Sequence, residues 1–148
     1  DIPGETGRPP RDEFEALHED AAWMDRVEFR GIVDDSELWA AYRDCDVFVA
    51  PSRFESFGLV YVEAMMAGRP VVALSAGAAR EVVADGETGL LVDAESQALA
   101  DAVCGLLSDR DRATAMGRAG RSHYLERFSL DAMADSFEDL ARSIGAGR

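Results

Sequence analysis

The chain has no lysine: its 15 basic residues are all arginine, set against 29 aspartates and glutamates, for a formal net charge of −14. That balance argues against nucleic acid as a partner, because phosphate backbones reward clustered cations. A strongly acidic surface without lysine suits a salt-rich cytoplasm, where screening shortens charge repulsion to a few ångströms. A GC-rich coding sequence also accounts for the missing lysines. Cysteine is scarce. Cys45 and Cys104 lie far apart in apolar contexts, without the close spacing of a zinc or redox motif, so buried free thiols are expected. His18 and His123 stand beside no nucleophile motif, and no catalytic triad is proposed. No apolar run approaches the roughly 18 to 20 residues that cross a bilayer. The N-terminal stretch "DIPGETGRPPRDEFEAL" lacks the basic and apolar regions of a signal peptide. The expectation is a soluble cytoplasmic protein with no transmembrane segment.

What is present is a globular balance, with 47% hydrophobic and 30% charged residues over 148 positions, enough for one domain with a hydrophobic core. Short apolar runs alternate with helical patterns through the first two thirds of the chain, the α/β signature of a parallel sheet flanked by helices. The first helix is expected over "PPRDEFEALHEDA" and a short strand over "RVEFRG". A second helix opens at "DDSELWAAYRDC", where Asp34 or Asp35 caps the amide end and Leu38, Trp39, Tyr42 and Cys45 share one face. "DVFVAP", "RPVVAL" and "TGLLVD" read as buried parallel strands, with "DGETG" as a turn. Then strands stop. Leu99, Val103, Leu106 and Leu107 mark one amphipathic helix, residues 110–128 a second helical segment, and Met133, Phe137, Leu140 and Ile144 a third helix.

The informative stretch is "PSRFESFGLVYVEAMMAGRPVVAL", in which Glu55 and Glu63 stand eight positions apart around Gly58. Pro51 and Ser52 end a strand, and a helix is expected from Ser56 or Phe57, at the carboxyl end of the sheet, where open α/β folds gather ligands. The first turn of such a helix has unpaired N–H groups and a partial positive charge, and a glycine there gives a phosphate clearance. Were both glutamates helical, about 800° of rotation and roughly 12 Å of rise would separate them, so they share neither a proton nor a metal. Each carboxylate accepts hydroxyl hydrogens. Two of them flanking a phosphate cradle fit sugar, diphosphate and ribose in a row; dipole complementation and tight packing are the bland alternatives.

"ESFGLVYVE", followed by "AMMAGRPVVAL" and "EVVADGETGLLV", resembles the C-terminal, donor-binding half of a retaining glycosyltransferase of the GT-B fold, in the large family 4 group. The resemblance runs from about Arg26 to Phe128. It implies a Rossmann-like parallel sheet flanked by helices, with a helical C-terminus. It also implies that Glu55, the catalytic candidate, contacts hydroxyls of the transferred sugar and that Glu63 holds the ribose. The amides of Phe57, Gly58 and Leu59 would face sugar and diphosphate, and backbone near Ile32 and Val33 would meet the base. The family's chemistry is front-face displacement assisted by the leaving diphosphate, with no metal and no cofactor beyond the nucleotide-sugar donor; the protein stabilises the diphosphate electrostatically. A non-catalytic nucleotide-sugar-binding subunit and a sugar-nucleotide epimerase are the alternatives.

Departures from the family pattern set further expectations. The family's first strand, with its glycine, arginine and following lysine, has no counterpart before "DIPGETG", so residues 1–148 read as one N-terminally incomplete nucleotide-sugar-binding domain, inactive alone. A missing N-terminal domain or another chain would complete the sheet and supply the site for an unknown acceptor. The loop before "EVV" reads Gly77, Ala78, Ala79, Arg80 where the family has a glycine pair, and it receives no role. Arg53 is taken as a solvated surface group with a diphosphate contact as its alternative. Trp23, Trp39 and Tyr42 are assigned to packing rather than to stacking on a ligand. Asp85 and Gly86 are assigned to a turn, not a metal.

Overall fold

The computed structural model of the protein describes residues 11–146. It divides into two compact units, the first ending at Val33 and the second beginning at Asp34. In the first unit α1 (Arg11–Leu17) carries Asp12 and Glu13 in its first turn, where carboxylates oppose the helix dipole. The two prolines expected to start this helix lie outside the described residues, and the helix ends before the predicted Ala21. A single 3-10 turn, Met24–Arg26, follows. Phe14 lies 4.7 Å from His18 and 5.8 Å from Phe29, ring centre to ring centre, and His18 lies 5.0 Å from Trp23. His18 and Trp23 are therefore used in an aromatic cluster. The strand expected over residues 26–31 does not form. Val27 has extended dihedrals, but no strand among the described residues pairs with this segment, and extended backbone without a ladder is not a strand.

The second unit opens with α2 (Asp35–Asp44), capped by Asp34, whose carboxylate accepts from the Glu37 N–H at 2.9 Å. β1 (Phe48–Ala50), α3 (Leu59–Met66), β2 (Val71–Leu74), α4 (Ala79–Val82) and β3 (Gly89–Val92) follow, and then α5 (Ser96–Ser108), α6 (Arg110–Arg127) and α7 (Leu130–Ala146). The strands form one parallel sheet in the order β1-β2-β3, with Phe48 beside Val71 and Val71 beside Gly89. Alternation along β2 builds a core on each side of it. Val71 and Ala73 pack with Tyr42, Tyr61, Met65 and Val82, while Val72 packs with Ala102, Leu106 and Met116. All four residues of β2 are buried. β1, expected to be buried, is only partly so, because among the described residues it is paired along one edge alone.

The helices that close the unit form as the periodicity predicts, but α7 leaves Met133, Phe137, Leu140 and Ile144 exposed. Both cysteines are free. Cys104 is exposed and Cys45 half-buried, which corrects the expectation of burial: α5 buries Ala102 and Leu106, and Cys104 between them falls on the outer side. α6 lies close against the α3–β2 turn, since a Cβ at Gly117 would come within 2.2 Å of the Gly68 carbonyl oxygen. The turn at Asp85 and Gly86 is as expected, with Gly86 at φ 76° and the Asp85 carboxylate accepting from the Leu91 N–H at 2.8 Å. No helix among the described residues is long and apolar enough to cross a membrane.

Candidate functional site

The loop from β1 to α3 carries Glu55, and α3 begins at Leu59, later than the expected Ser56 or Phe57. The reason is Gly58. It takes the N-cap position with φ 84° and ψ 36°, a left-handed conformation that costs a glycine little and an L side chain much more. Glu55 thus lies outside the helix, and the separation expected for two helical glutamates does not apply. Its Oε1 accepts from the Gly58 N–H at 3.3 Å, so the carboxylate itself occupies the amide that sequence reasoning gave to a ligand. The N–H groups of Leu59 and Val60, in the first turn of α3, have no hydrogen-bond acceptor among the described residues, as the opening of a helix dictates.

Glu55 is braced from behind by the loop after β2. The Ala78 N–H donates to the Glu55 carbonyl at 3.1 Å. Gly77, at φ 51°, lies so near that a Cβ there would stand 2.9 Å from the same oxygen. Ala78 and Ala79 are buried, and the Arg80 Nε donates to Ser75 Oγ at 3.2 Å. The loop left without a role therefore fixes the backbone of the first glutamate.

Glu63 is positioned from another direction. It lies on α3, half-buried, and its Oε2 accepts from the Tyr42 hydroxyl at 2.7 Å. Tyr42 belongs to α2 and is held between Trp39 and Phe48, with ring centres 5.6 and 5.4 Å away. Burial, reinforced by the hydrogen bond to Glu63 and its charge, pushes the Tyr42 phenol well above its ordinary value. Tyr61 lies beneath the cap: a Cβ on Gly58 would meet its ring at 2.7 Å. The Tyr61 hydroxyl is buried with no hydrogen-bond partner among the described residues. Burial, and then the charge of Glu55, raise its pKa.

The structure thus gathers Glu55, Gly58 and Glu63 around the start of α3, with Phe57 and Leu59 exposed there. Arg53 is exposed. Ile32 and Val33 belong to the first unit, Ile32 fully exposed and Val33 half-buried. Two contributions escaped sequence reasoning. The helical spacing of Tyr42 announced its ring but not the destination of its hydroxyl, 21 positions away. Gly77 was visible as a glycine in a strand-to-helix loop, but neither its left-handed φ nor its approach to Glu55 was.

Comparison with known proteins bears on the fold and the family. The GDP-mannose-dependent alpha-(1-6)-phosphatidylinositol monomannoside mannosyltransferase of Mycobacterium tuberculosis is 40% identical over 150 residues, which covers 96% of this chain and 39% of that enzyme. The chain thus spans well under half the length of that relative. Sucrose-phosphate synthase from Thermosynechococcus elongatus superposes with a TM-score of 0.79 at 37% identity, over 93% of this chain and 35% of that one. Anabaena Alr3699/HepE in complex with UDP-glucose superposes with a TM-score of 0.77 at 29% identity, over 89% and 36% of the two chains. These neighbours share the GT-B glycosyltransferase fold, to which the parallel sheet and flanking helices conform. Residues 3–109 match the family described as glycosyl transferases group 1, and it is to that family that the chain belongs.

Proposed function

We propose that the chain is the donor-binding half of a retaining glycosyltransferase and that it holds a nucleotide sugar over the start of α3. The observation that carries the reading is the pair of carboxylates fixed by separate elements on either side of the Gly58 cap, Glu55 by the loop after β2 and Glu63 by Tyr42 of α2. Glu63 accepts from ribose hydroxyls and Glu55 from hydroxyls of the transferred sugar, since a carboxylate is an acceptor with room for more than one donor. The free N–H groups of the first turn of α3, with those of Phe57 and Gly58, face the diphosphate, where the helix dipole opposes its charge. Glu55 exchanges its bond to the Gly58 N–H for bonds to the sugar as the diphosphate arrives. Stabilising the leaving diphosphate, with no metal ion or other cofactor taking part, is the protein's contribution to transfer with retention. The solved relative with UDP-glucose and the mannosyltransferase named for GDP-mannose support a nucleotide sugar as ligand.

The test is calorimetric titration of the chain with UDP-, GDP- and ADP-glucose and GDP-mannose in high salt, with and without a chelator. The expected outcome is saturable heat from one nucleotide series, unchanged by the chelator and abolished by Glu63→Ala. Silence from all four, with the chain shown to be folded, would overturn the assignment. β1 is unpaired along one edge among the described residues. That favours the further reading that the chain works within a larger polypeptide or assembly, which supplies a strand to this edge and the acceptor site.

A further inference from the structure

A cavity of about 250 Å³ lies at the other end of the sheet, lined among others by Asp46, Arg69, Pro70, Arg110, Thr114 and Arg118. Asp46 and Pro70 stand just ahead of β1 and β2, at the amino-terminal ends of the strands, whereas Glu55 and Gly58 follow the carboxyl end of β1. Arg110, Thr114 and Arg118 recur every four residues along α6 and so share one face of it. The close approach of Gly117 to the Gly68 carbonyl fixes that face against the α3–β2 turn, from which Arg69 extends.

None of Arg69, Arg110 and Arg118 forms an ion pair among the described residues. Arg69 donates through Nη2 to the Arg43 carbonyl, while its Nε is buried with no acceptor among the described residues. A buried guanidinium N–H left unpaired is unfavourable, and an anion in the cavity that Arg69 lines relieves that penalty once the guanidinium turns toward it. Asp46 offsets one of the three positive charges, and the remaining two match a dianion, with the Thr114 hydroxyl as an added donor.

We propose that this cavity is a phosphate-binding site, separate from the start of α3, which takes free phosphate or the phosphate group of a small monoester through Arg69, Arg110 and Arg118. The full chain, labelled with ¹⁵N, is titrated with inorganic phosphate and with phenyl phosphate while the arginine Nε–H resonances are followed, and chloride at matched ionic strength is the control. The expected result is a saturable shift of the Arg69 Nε–H signal with phosphate and none with chloride. Whichever phosphate compound binds more tightly identifies the free anion or the monoester as the natural class. Arg110→Gln/Arg118→Gln, changes at two exposed positions, is expected to weaken binding by about tenfold or more. Arg127→Gln/Arg142→Gln, with the same change in net charge, is expected to leave it unaltered. Should the first pair lower the thermal midpoint, Arg118→Gln alone is expected to show a loss in the same direction. Absence of saturation, an equal response to chloride, or equal loss in both double variants overturns the site.

Discussion

The Tyr42 hydroxyl donates to Glu63 Oε2 at 2.7 Å, joining α2 to α3. A hydrogen bond to a charged acceptor contributes about 1.5 to 3 kcal/mol, and here it also fixes which way the carboxylate points. Tyr42→Phe keeps the ring between Trp39 and Phe48 and removes only the bond. The expected outcome in calorimetry is donor affinity lowered about tenfold, with Glu63→Ala lowering it further. Unchanged affinity in Tyr42→Phe would show that Glu63 needs no such support.

The same substitution at Tyr61 should act in the opposite sense on stability. The Tyr61 hydroxyl is buried without a partner among the described residues, so its loss removes an unsatisfied group rather than a bond. Thermal unfolding is expected to give a midpoint for Tyr61→Phe at or above that of the wild type, and for Tyr42→Phe below it. A clear drop for Tyr61→Phe would reveal an acceptor for that hydroxyl.

Gly58→Ala meets two obstacles at once, the left-handed backbone and the Tyr61 ring 2.7 Å from the new methyl group. A loss of about 2 to 4 kcal/mol is expected from strain and displacement together. Urea unfolding measures it. A stability within a few tenths of a kcal/mol of the wild type would mean that the cap relaxes to another conformation.

Burial raises the phenol pKa of both Tyr42 and Tyr61. In the unfolded chain each titrates near pH 10 (about). Above that value the unfolded state loses protons that the folded state retains, so stability is full below about pH 10 and falls as pH climbs toward the folded values, by up to about 1.4 kcal/mol per pH unit for each group. Urea midpoints collected from about pH 9 to pH 11 should fall steeply in the wild type and less steeply in Tyr42→Phe/Tyr61→Phe. Equal slopes would remove these tyrosines as the cause.

The two thiols should react at different rates. Cys104 is exposed, whereas Cys45 is half-buried and its thiol pKa is raised, chiefly by burial. Because the thiolate is the nucleophile, a chromogenic disulfide reagent at neutral pH should modify one thiol quickly and the second slowly, and Cys104→Ser should abolish the fast phase.

Much of the fold was legible because period and punctuation agree. Asp34 caps α2 as its position suggested, and all three apolar runs after Cys45 became strands of one sheet. The strand expected at residues 26–31 failed for a reason that local sequence does not carry, since a strand exists only with a partner. The candidate site was proposed from residue types around a glycine, and Gly58 does sit at the start of α3. Its geometry was less so. The later start of α3 follows from the left-handed cap, the Tyr42 bond from contact between distant segments, and the bracing of Glu55 from a loop more than twenty residues farther along.

That bracing gives position 77 an importance its place in the chain conceals. The Glu55 backbone rests on Gly77 and Ala78, while its side chain holds the Gly58 amide. One added methyl at position 77 presses on the Glu55 carbonyl and is relayed through a single residue to the helix cap. Evolution, or an engineer, thus has a handle for retuning the reach of the first glutamate by tenths of an ångström, from a loop whose own side chains need never meet a ligand.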